Sequence, residues 1–203
     1  MKITLIQIDL VMGSRILLSL LRNKGYDAKS LQINLRYIDQ LSEEDLDVIY
    51  EYASDSEVVG LSFNTFYAPL AERLARFLKD KGIKYIITGG NHATALPDEV
   101  ISYSDVVVKY EAEITLPKVL EALGKKEELS KIKGIVYKIG ENVFYNDKAP
   151  DIVWDLDTLP FQSTDTRIIK YFNLKDKLHD APKDMLFPHA KNCFFILASR
   201  GCP

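Results

Sequence analysis

The sequence predicts an α/β fold: a doubly wound, mostly parallel five-stranded sheet, followed by a β-hairpin and an extended tail. Three observations carry that prediction. Short, nearly continuous apolar runs alternate with longer amphipathic ones as far as Gly124, and two of the amphipathic runs stop at a glycine, Gly25 and Gly82. After Gly124 the rhythm gives way to two short strand-like runs around a Gly-Glu-Asn turn. Strands buried on both faces of a parallel sheet read as unbroken apolar runs, and their alternation with helices marks parallel crossovers.

Residues 3–8 form the first apolar run. Residues 15–24 place Ile16, Leu17, Leu20 and Leu21 on one helical face and end at Gly25, a good terminator. Residues 28–33 read as the second strand. Residues 43–53 carry Leu46, Ile49, Tyr50 and Ala53 at helical spacing, with Ser42 as the N-cap. The third strand is 58–63, and its helix shows Leu70, Leu74, Phe77 and Leu78 before Gly82. A fourth strand at 85–88, a helix at 96–103, a fifth strand at 105–108 and a helix at 115–123 complete the set. Right-handed crossovers and the flavodoxin-like (Rossmann-like) strand order 2-1-3-4-5 are expected of such a chain. Residues 134–139 and 143–145 then read as a β-hairpin around Gly140-Glu141-Asn142. Residues 161–190 mix charges, prolines and aromatics as a surface connector would, and 194–198 form one more apolar strand.

Hydrophobic residues make up 47% and charged residues 27% of the 203, as in a soluble globular protein. A net charge of -3 gives no electrostatic reason to expect nucleic acid or an anionic membrane as partner. The Lys-rich stretches 79–84 and 125–133 are interrupted by Asp80, Glu127 and Glu128 and read as solvated surface. No apolar run is long enough to span a bilayer, and the N-terminus lacks a signal-peptide pattern, so a cytoplasmic location is expected. Both cysteines, Cys193 and Cys202, lie near the end, so no disulfide framework holds the fold.

A doubly wound sheet binds ligands beyond the carboxyl ends of its strands, where the strand order reverses. The loops there supply Asp9, Met12 and Gly13 after the first strand and Ser62, Asn64 and Thr65 after the third. The fourth contributes Gly89, Gly90 and His92, and the fifth Tyr110, Glu111 and Glu113. Gly, hydroxyl and acidic residues suit backbone approach to a bulky polar ligand. Gly89-Gly90 has two readings of similar weight, close ligand approach or a turn needing positive φ. His92 alone is more often a loop histidine satisfied internally than a ligand or base. Ser62 and Thr65 are nucleophiles only with a base the sequence does not identify. Glu111 and Glu113 also suit the N-terminus of the helix that follows. The glycines do not follow the first strand as in a dinucleotide-binding fingerprint, and no P-loop is present. A phosphoreceiver reading fails because Ser62-Phe63-Asn64 lacks the acceptor Asp.

These loops resemble a family. Val59-Gly60-Leu61-Ser62 through Thr65, Gly89-Gly90-Asn91-His92-Ala93-Thr94 with Pro97, and Glu111-Ala112-Glu113 fall in the order seen in B12-binding radical S-adenosylmethionine proteins. So do Leu156-Asp157-Thr158-Leu159-Pro160 and Ser199-Arg200-Gly201-Cys202-Pro203. The resemblance implies a cobalamin-binding domain, with the twelve loop residues above as cofactor contacts. It also implies that Cys202 is the first of three thiolates holding a 4Fe–4S cluster, whose open iron takes S-adenosylmethionine in the full-length parent. Cys193 reads as a small buried apolar residue.

Two departures stand out. Many cobalamin domains carry an Asp-x-His motif after the first strand, whose His meets the cobalt from below; here Asp9 is followed by Val11 at that place. The family's Gly-Glu-Gly-Glu loop appears as Tyr110-Glu111-Ala112-Glu113. The expected organisation is a cobalamin-binding-type domain over 1–124, a hairpin and extension over 125–160, and a connector with the first strand of a radical barrel over 161–203. The expected partners are that barrel, in the same chain, and a small-molecule substrate. The parent's reaction would be methyl transfer or another radical reaction. The alternative is a degenerate domain without cobalamin that binds substrate or another protein surface.

Overall fold

The computed structural model describes residues 1–8, 13–35 and 40–180. Strands β1 (Lys2–Ile8), β2 (Asp27–Ile33), β3 (Val58–Ser62), β4 (Tyr85–Gly89) and β5 (Val106–Val108) run parallel in the order 2-1-3-4-5, as expected. Their apolar side chains are buried on both faces, which explains the unbroken runs.

The sheet is larger than the five strands expected. The hairpin β6 (Ile135–Ile139) and β7 (Asn142–Asn146) joins antiparallel to β5. At the other edge β8 (Ile169–Asn173) pairs parallel with β2, and β9 (Lys177–Asp180) folds back on it. The result is a nine-stranded sheet, β7-β6-β5-β4-β3-β1-β2-β8-β9. Residues 169–173 and 177–180, expected as part of a surface connector, are therefore strands of this sheet. Lys170 and the charges around Leu178 dilute the local apolar pattern. What buries Tyr171 and Phe172 is contact with β2, which no local window contains.

One face of the sheet carries helices α1 (Gly13–Asn23) and α6 (Thr115–Lys125), packed on Ile3, Leu5, Val58 and Val106. The other carries α2 (Glu43–Ala53) and α3 (Ala68–Asp80), packed on Ile6, Ile8, Val59 and Leu61. The inner face of α1 differs from the expected one: Ser14, Arg15, Leu18 and Leu21 are buried, while Ile16, Leu17 and Leu20 are half-buried. Arg15 Nη2 donates to Gln32 Oε1 at 3.0 Å and to the Tyr171 hydroxyl, so the added strand β8 helps hold that face inward.

Helix α2 begins as predicted. Ser42 Oγ accepts from Asp45 N–H (3.2 Å), and the Asp45 carboxylate accepts from Ser42 N–H (2.9 Å). Lys177 on β9 closes on the same carboxylate at 2.6 Å. The helix expected at 96–103 is present as α5 (Pro97–Val100) and a 3₁₀ turn over 101–103, and a further short helix, α4 (Asn91–Ala95), precedes it in what was expected as loop; Pro97 starts a new helix instead of continuing α4.

Between β7 and β8 the chain crosses from one edge of the sheet to the other over α6 and α1. Asp151 binds Lys118 and Lys133 at 2.9 Å each, and the two ammonium groups hold its carboxyl down at about 2. Further on, Ser163 N–H donates to Arg15 C=O at 3.2 Å.

Candidate functional site at the carboxyl edge

All five central strands end on one edge, and the order reverses between β1 and β3. The loop after β3 is held from below: the buried Gln7 on β1 donates its Nε2 to Ser62 C=O at 3.2 Å. Asn64 Oδ1 accepts Phe66 N–H at 3.0 Å and starts a 3₁₀ turn over residues 65–67. That turn leaves the Phe66 ring 80% exposed.

The loop after β4 lies against it. Gly90 has φ +96 and ψ -174, and a Cβ there would stand 2.9 Å from Ser62 Oγ and 3.2 Å from Phe63 C=O. Packing and backbone together demand glycine at this position. Gly89 is different: its φ is not positive, and a Cβ would make only an ordinary 3.5 Å contact with Val108 C=O. His92 is 2% exposed. Its Nδ1 is 3.3 Å from Thr65 Oγ1, and its Nε2 lies 3.4 Å from a Glu99 carboxylate oxygen without hydrogen-bond alignment. The ring leans on Phe63 at 5.6 Å between centroids. As placed, His92 joins two loops and offers no nitrogen to the shelf above.

After β5, Tyr110 takes the left-handed conformation (φ +61), and its N–H donates to Thr94 Oγ1 at 2.8 Å. Lys109, buried, reaches Asp147 beyond the hairpin at 2.7 Å. Glu111 is half-buried, and Glu113 is buried. Glu113 lines a separate cavity of about 560 Å³ between α1 and α6, with Leu20, Tyr26, Pro117, Val153 and Leu159. Burial there, and then Glu121, pushes the Tyr26 hydroxyl pKa up.

The structure thus brings Ser62, Asn64, Thr65, Gly89, Gly90, His92 and Tyr110 to one edge and turns Glu113 into another concavity. Gly13 opens α1 with no atom within 4 Å of where a Cβ would stand. Asp9, Met12, Cys193, Cys202 and the strand expected at 194–198 lie outside the described residues. The sequence reading missed Gln7 and Thr94 as residues that fix these loops, and Arg15 as the buried link from α1 to β2 and β8. A polar residue inside an apolar strand was the available signal for Gln7; nothing local marked the other two.

The family description of the B12 binding domain matches residues 10–120, more than half of the chain and spanning the loops described above. The chain belongs to the B12-binding domain family. This B12-binding domain is 26% identical over 153 residues to the uncharacterized methyltransferase PH0819 of Pyrococcus horikoshii, covering 73% of the chain and 30% of that relative. It is 26% identical over 152 residues to the anaerobic magnesium-protoporphyrin IX monomethyl ester cyclase of Synechocystis sp., covering 72% and 27%. The chain therefore spans less than a third of the curated relatives it matches.

Among solved structures, the cobalamin-dependent S-adenosylmethionine radical enzyme OxsB, with aqua-cobalamin and S-adenosylmethionine bound, superposes with a TM-score of 0.65 at 19% identity. That match covers 80% of this chain and 24% of OxsB. The radical S-adenosylmethionine methyltransferase TsrM from Kitasatospora setae, with cobalamin and a 4Fe–4S cluster bound, superposes with a TM-score of 0.60 at 15% identity. It covers 76% of this chain and 30% of TsrM. At these identities the likeness establishes the shared Rossmann-like fold. Among the described residues no helix is long and apolar enough to cross a membrane.

Proposed function

We propose that this domain holds cobalamin over the carboxyl edge of β1, β3 and β4, within a radical S-adenosylmethionine enzyme of the cytoplasm that transfers a methyl group or performs another radical reaction on a small molecule. The observation that carries the reading is the family match over residues 10–120, which takes in all four loops of the shelf.

The shelf residues fit the group. Cobalamin is a flat macrocycle rimmed with amide arms, and the half-buried Ser62 and the exposed Thr65 offer hydroxyl groups to such arms, while Asn64 shapes the turn beside them. Gly89 needs no glycine for its own backbone, so its missing side chain is available for close approach of a ring. In this reading Asp9, Met12 and Gly13 are assigned as contacts from the first loop, and Tyr110 and Glu111 belong to the far side of the shelf, whereas Glu113 faces the cavity between α1 and α6. Gly90 keeps the β3 and β4 loops in register, and His92 buttresses them from beneath. Cobalamin, when bound, supplies a cobalt centre able to carry a methyl group. No histidine among the described residues is open at the shelf: His92 is enclosed, and His179 lies on β9 at the sheet's far edge. Neither His92 nor His179 would therefore serve as a ligand to the metal of a bound cobalamin.

Cys202 is proposed as a ligand of a 4Fe–4S cluster that binds S-adenosylmethionine in the parent. The proposed division keeps 1–124 as the cofactor domain and 125–160 as its extension. β8 and β9 are grouped with the first sheet, so the barrel is placed beyond Asp180 rather than from residue 161.

Incubation with hydroxocobalamin, gel filtration and a visible spectrum test the cofactor. Near-stoichiometric co-elution of corrin is expected, and none at about micromolar protein overturns the reading. A second reading, an interaction or substrate-binding module without cobalamin, is favoured by the bulk of Tyr110 at the rim. It predicts no corrin uptake.

A further inference from the structure

We propose that Tyr110 is a wall of the ligand shelf and sets which flat ligand it accepts. This rests on the cobalamin reading above. The backbone of Tyr110 is strained: φ +61 belongs to the left-handed region that residues with a Cβ, and bulky ones above all, rarely adopt. Strain of this kind persists only where neighbours hold it in place, and here they do. The Tyr110 N–H is anchored on Thr94 Oγ1 at 2.8 Å. One residue earlier, Lys109 N–H donates to Gly134 C=O at 2.9 Å, and its ammonium is clamped on Asp147.

Among the described residues nothing uses the side chain that this backbone presents. The ring is 59% exposed, and among the described residues it makes no ring contact and its hydroxyl no hydrogen bond. A large aromatic held rigidly in a strained conformation, and then left in solvent, is a feature that intramolecular packing does not account for.

Its place in the sheet supplies an account. Phe66 follows β3 and Tyr110 follows β5, with Gly89 and Gly90 at the end of β4 between them. Adjacent strands are about 4.8 Å apart, so β3 and β5, whose loops carry the two exposed aromatics, stand roughly 10 Å apart with the glycines of β4 between them. A small ligand centred on the β1–β3 switch would not reach Tyr110. A planar macrocycle laid on β3 and β4 would meet it at its edge. There the ring gives apolar contact, and the hydroxyl can donate to or accept from an amide arm.

Three variants separate the ring, the hydroxyl and the backbone: Tyr110→Gly, Tyr110→Ala and Tyr110→Phe. Each is titrated with hydroxocobalamin, followed by visible absorbance and by circular dichroism in the corrin bands, and melted without ligand. Tyr110→Gly relieves the left-handed strain, so its melting temperature rises by about 2 °C, while its affinity for the corrin falls about tenfold. Tyr110→Ala loses the same affinity without the thermal gain. Tyr110→Phe keeps the ring and stays within about threefold of the parent protein. The induced dichroism changes shape in the Gly and Ala variants. If wild type binds corrin and all three variants bind it equally, with the same dichroism, the inference is overturned and the cobalamin reading stands. If wild type binds none, both fall. Binding by Tyr110→Gly but not by wild type would make Tyr110 a block to the shelf, contrary to the inference.

Discussion

Replacing Gly90 with alanine adds one methyl group at a position where the structure leaves no room for it. The backbone there, φ +96 and ψ -174, is open almost solely to glycine, and holding an L-residue in it costs about 1–3 kcal/mol. The new Cβ would also sit 2.9 Å from Ser62 Oγ and 3.2 Å from Phe63 C=O; a shift of the β3 loop to relieve this costs a further ~1 kcal/mol. The sum is about 3 kcal/mol, which in a chain of this size lowers the melting temperature by about 6–12 °C. Gly89→Ala is the matched control. Its Cβ meets only Val108 C=O at 3.5 Å, so its stability should stay within about 0.5 kcal/mol of the parent. Thermal unfolding of the two variants, followed by far-ultraviolet circular dichroism, compares them directly. Equal losses, or a Gly90→Ala protein as stable as its parent, would refute the assignment of Gly90 to packing and Gly89 to open shelf. The comparison also determines which glycine can probe ligand binding. A substitution at Gly90 weakens the fold before it reports on any ligand, whereas Gly89→Ala keeps the fold and places a methyl group on the shelf floor.

Tyr171→Phe removes one of the acceptors of the buried Arg15 guanidinium and should cost about 2 kcal/mol, seen as a lower urea midpoint at unchanged slope; no change would mean that β8 does not seat against β2. At Asp45, burial works against the charge, but the Lys177 ammonium and the Ser42 hydrogen bonds outweigh it and hold the carboxyl below its usual range. Its contribution is therefore present at neutral pH and lost as pH falls through that lowered value. Asp45→Asn should be less stable than the parent by about 1 kcal/mol at neutral pH, and the difference should shrink in acid; a gap still undiminished at about pH 2 would count against the pair. The single tryptophan, Trp154, is 87% exposed, so its emission should lie at the solvent-exposed end and be quenched freely by iodide. A blue-shifted, protected signal would show that the 147–168 crossing packs elsewhere.

Much of the fold was legible because its signals are local. Central strands of a parallel sheet are apolar on both sides, and Ser42 stands as an N-cap directly before a helical run, so β1 to β5 and α2 followed from short windows. β8 did not. Its burial depends on β2, more than 130 residues earlier in the chain, and its own sequence carries Lys170 among the apolar residues. The inner face of α1 shifted for the same reason, since Arg15 is buried through Tyr171, a residue of that unrecognised strand.

The shelf divides along the same line. The amino-acid order alone determined the loops that carry it, because in a doubly wound sheet the strand ends dictate where a ligand lies. It also determined the family resemblance and the absence of a histidine at position 11. Only the tertiary structure decided the roles within those loops. Gly90 is fixed by Ser62 and Phe63, which lie 27 or more residues away in sequence, and His92 is closed by Thr65 and Glu99. Tyr110 stands exposed in a conformation no propensity would assign it. Local patterns report which backbone a segment prefers, whereas the partner of each side chain is set by strands that meet only once the sheet has formed.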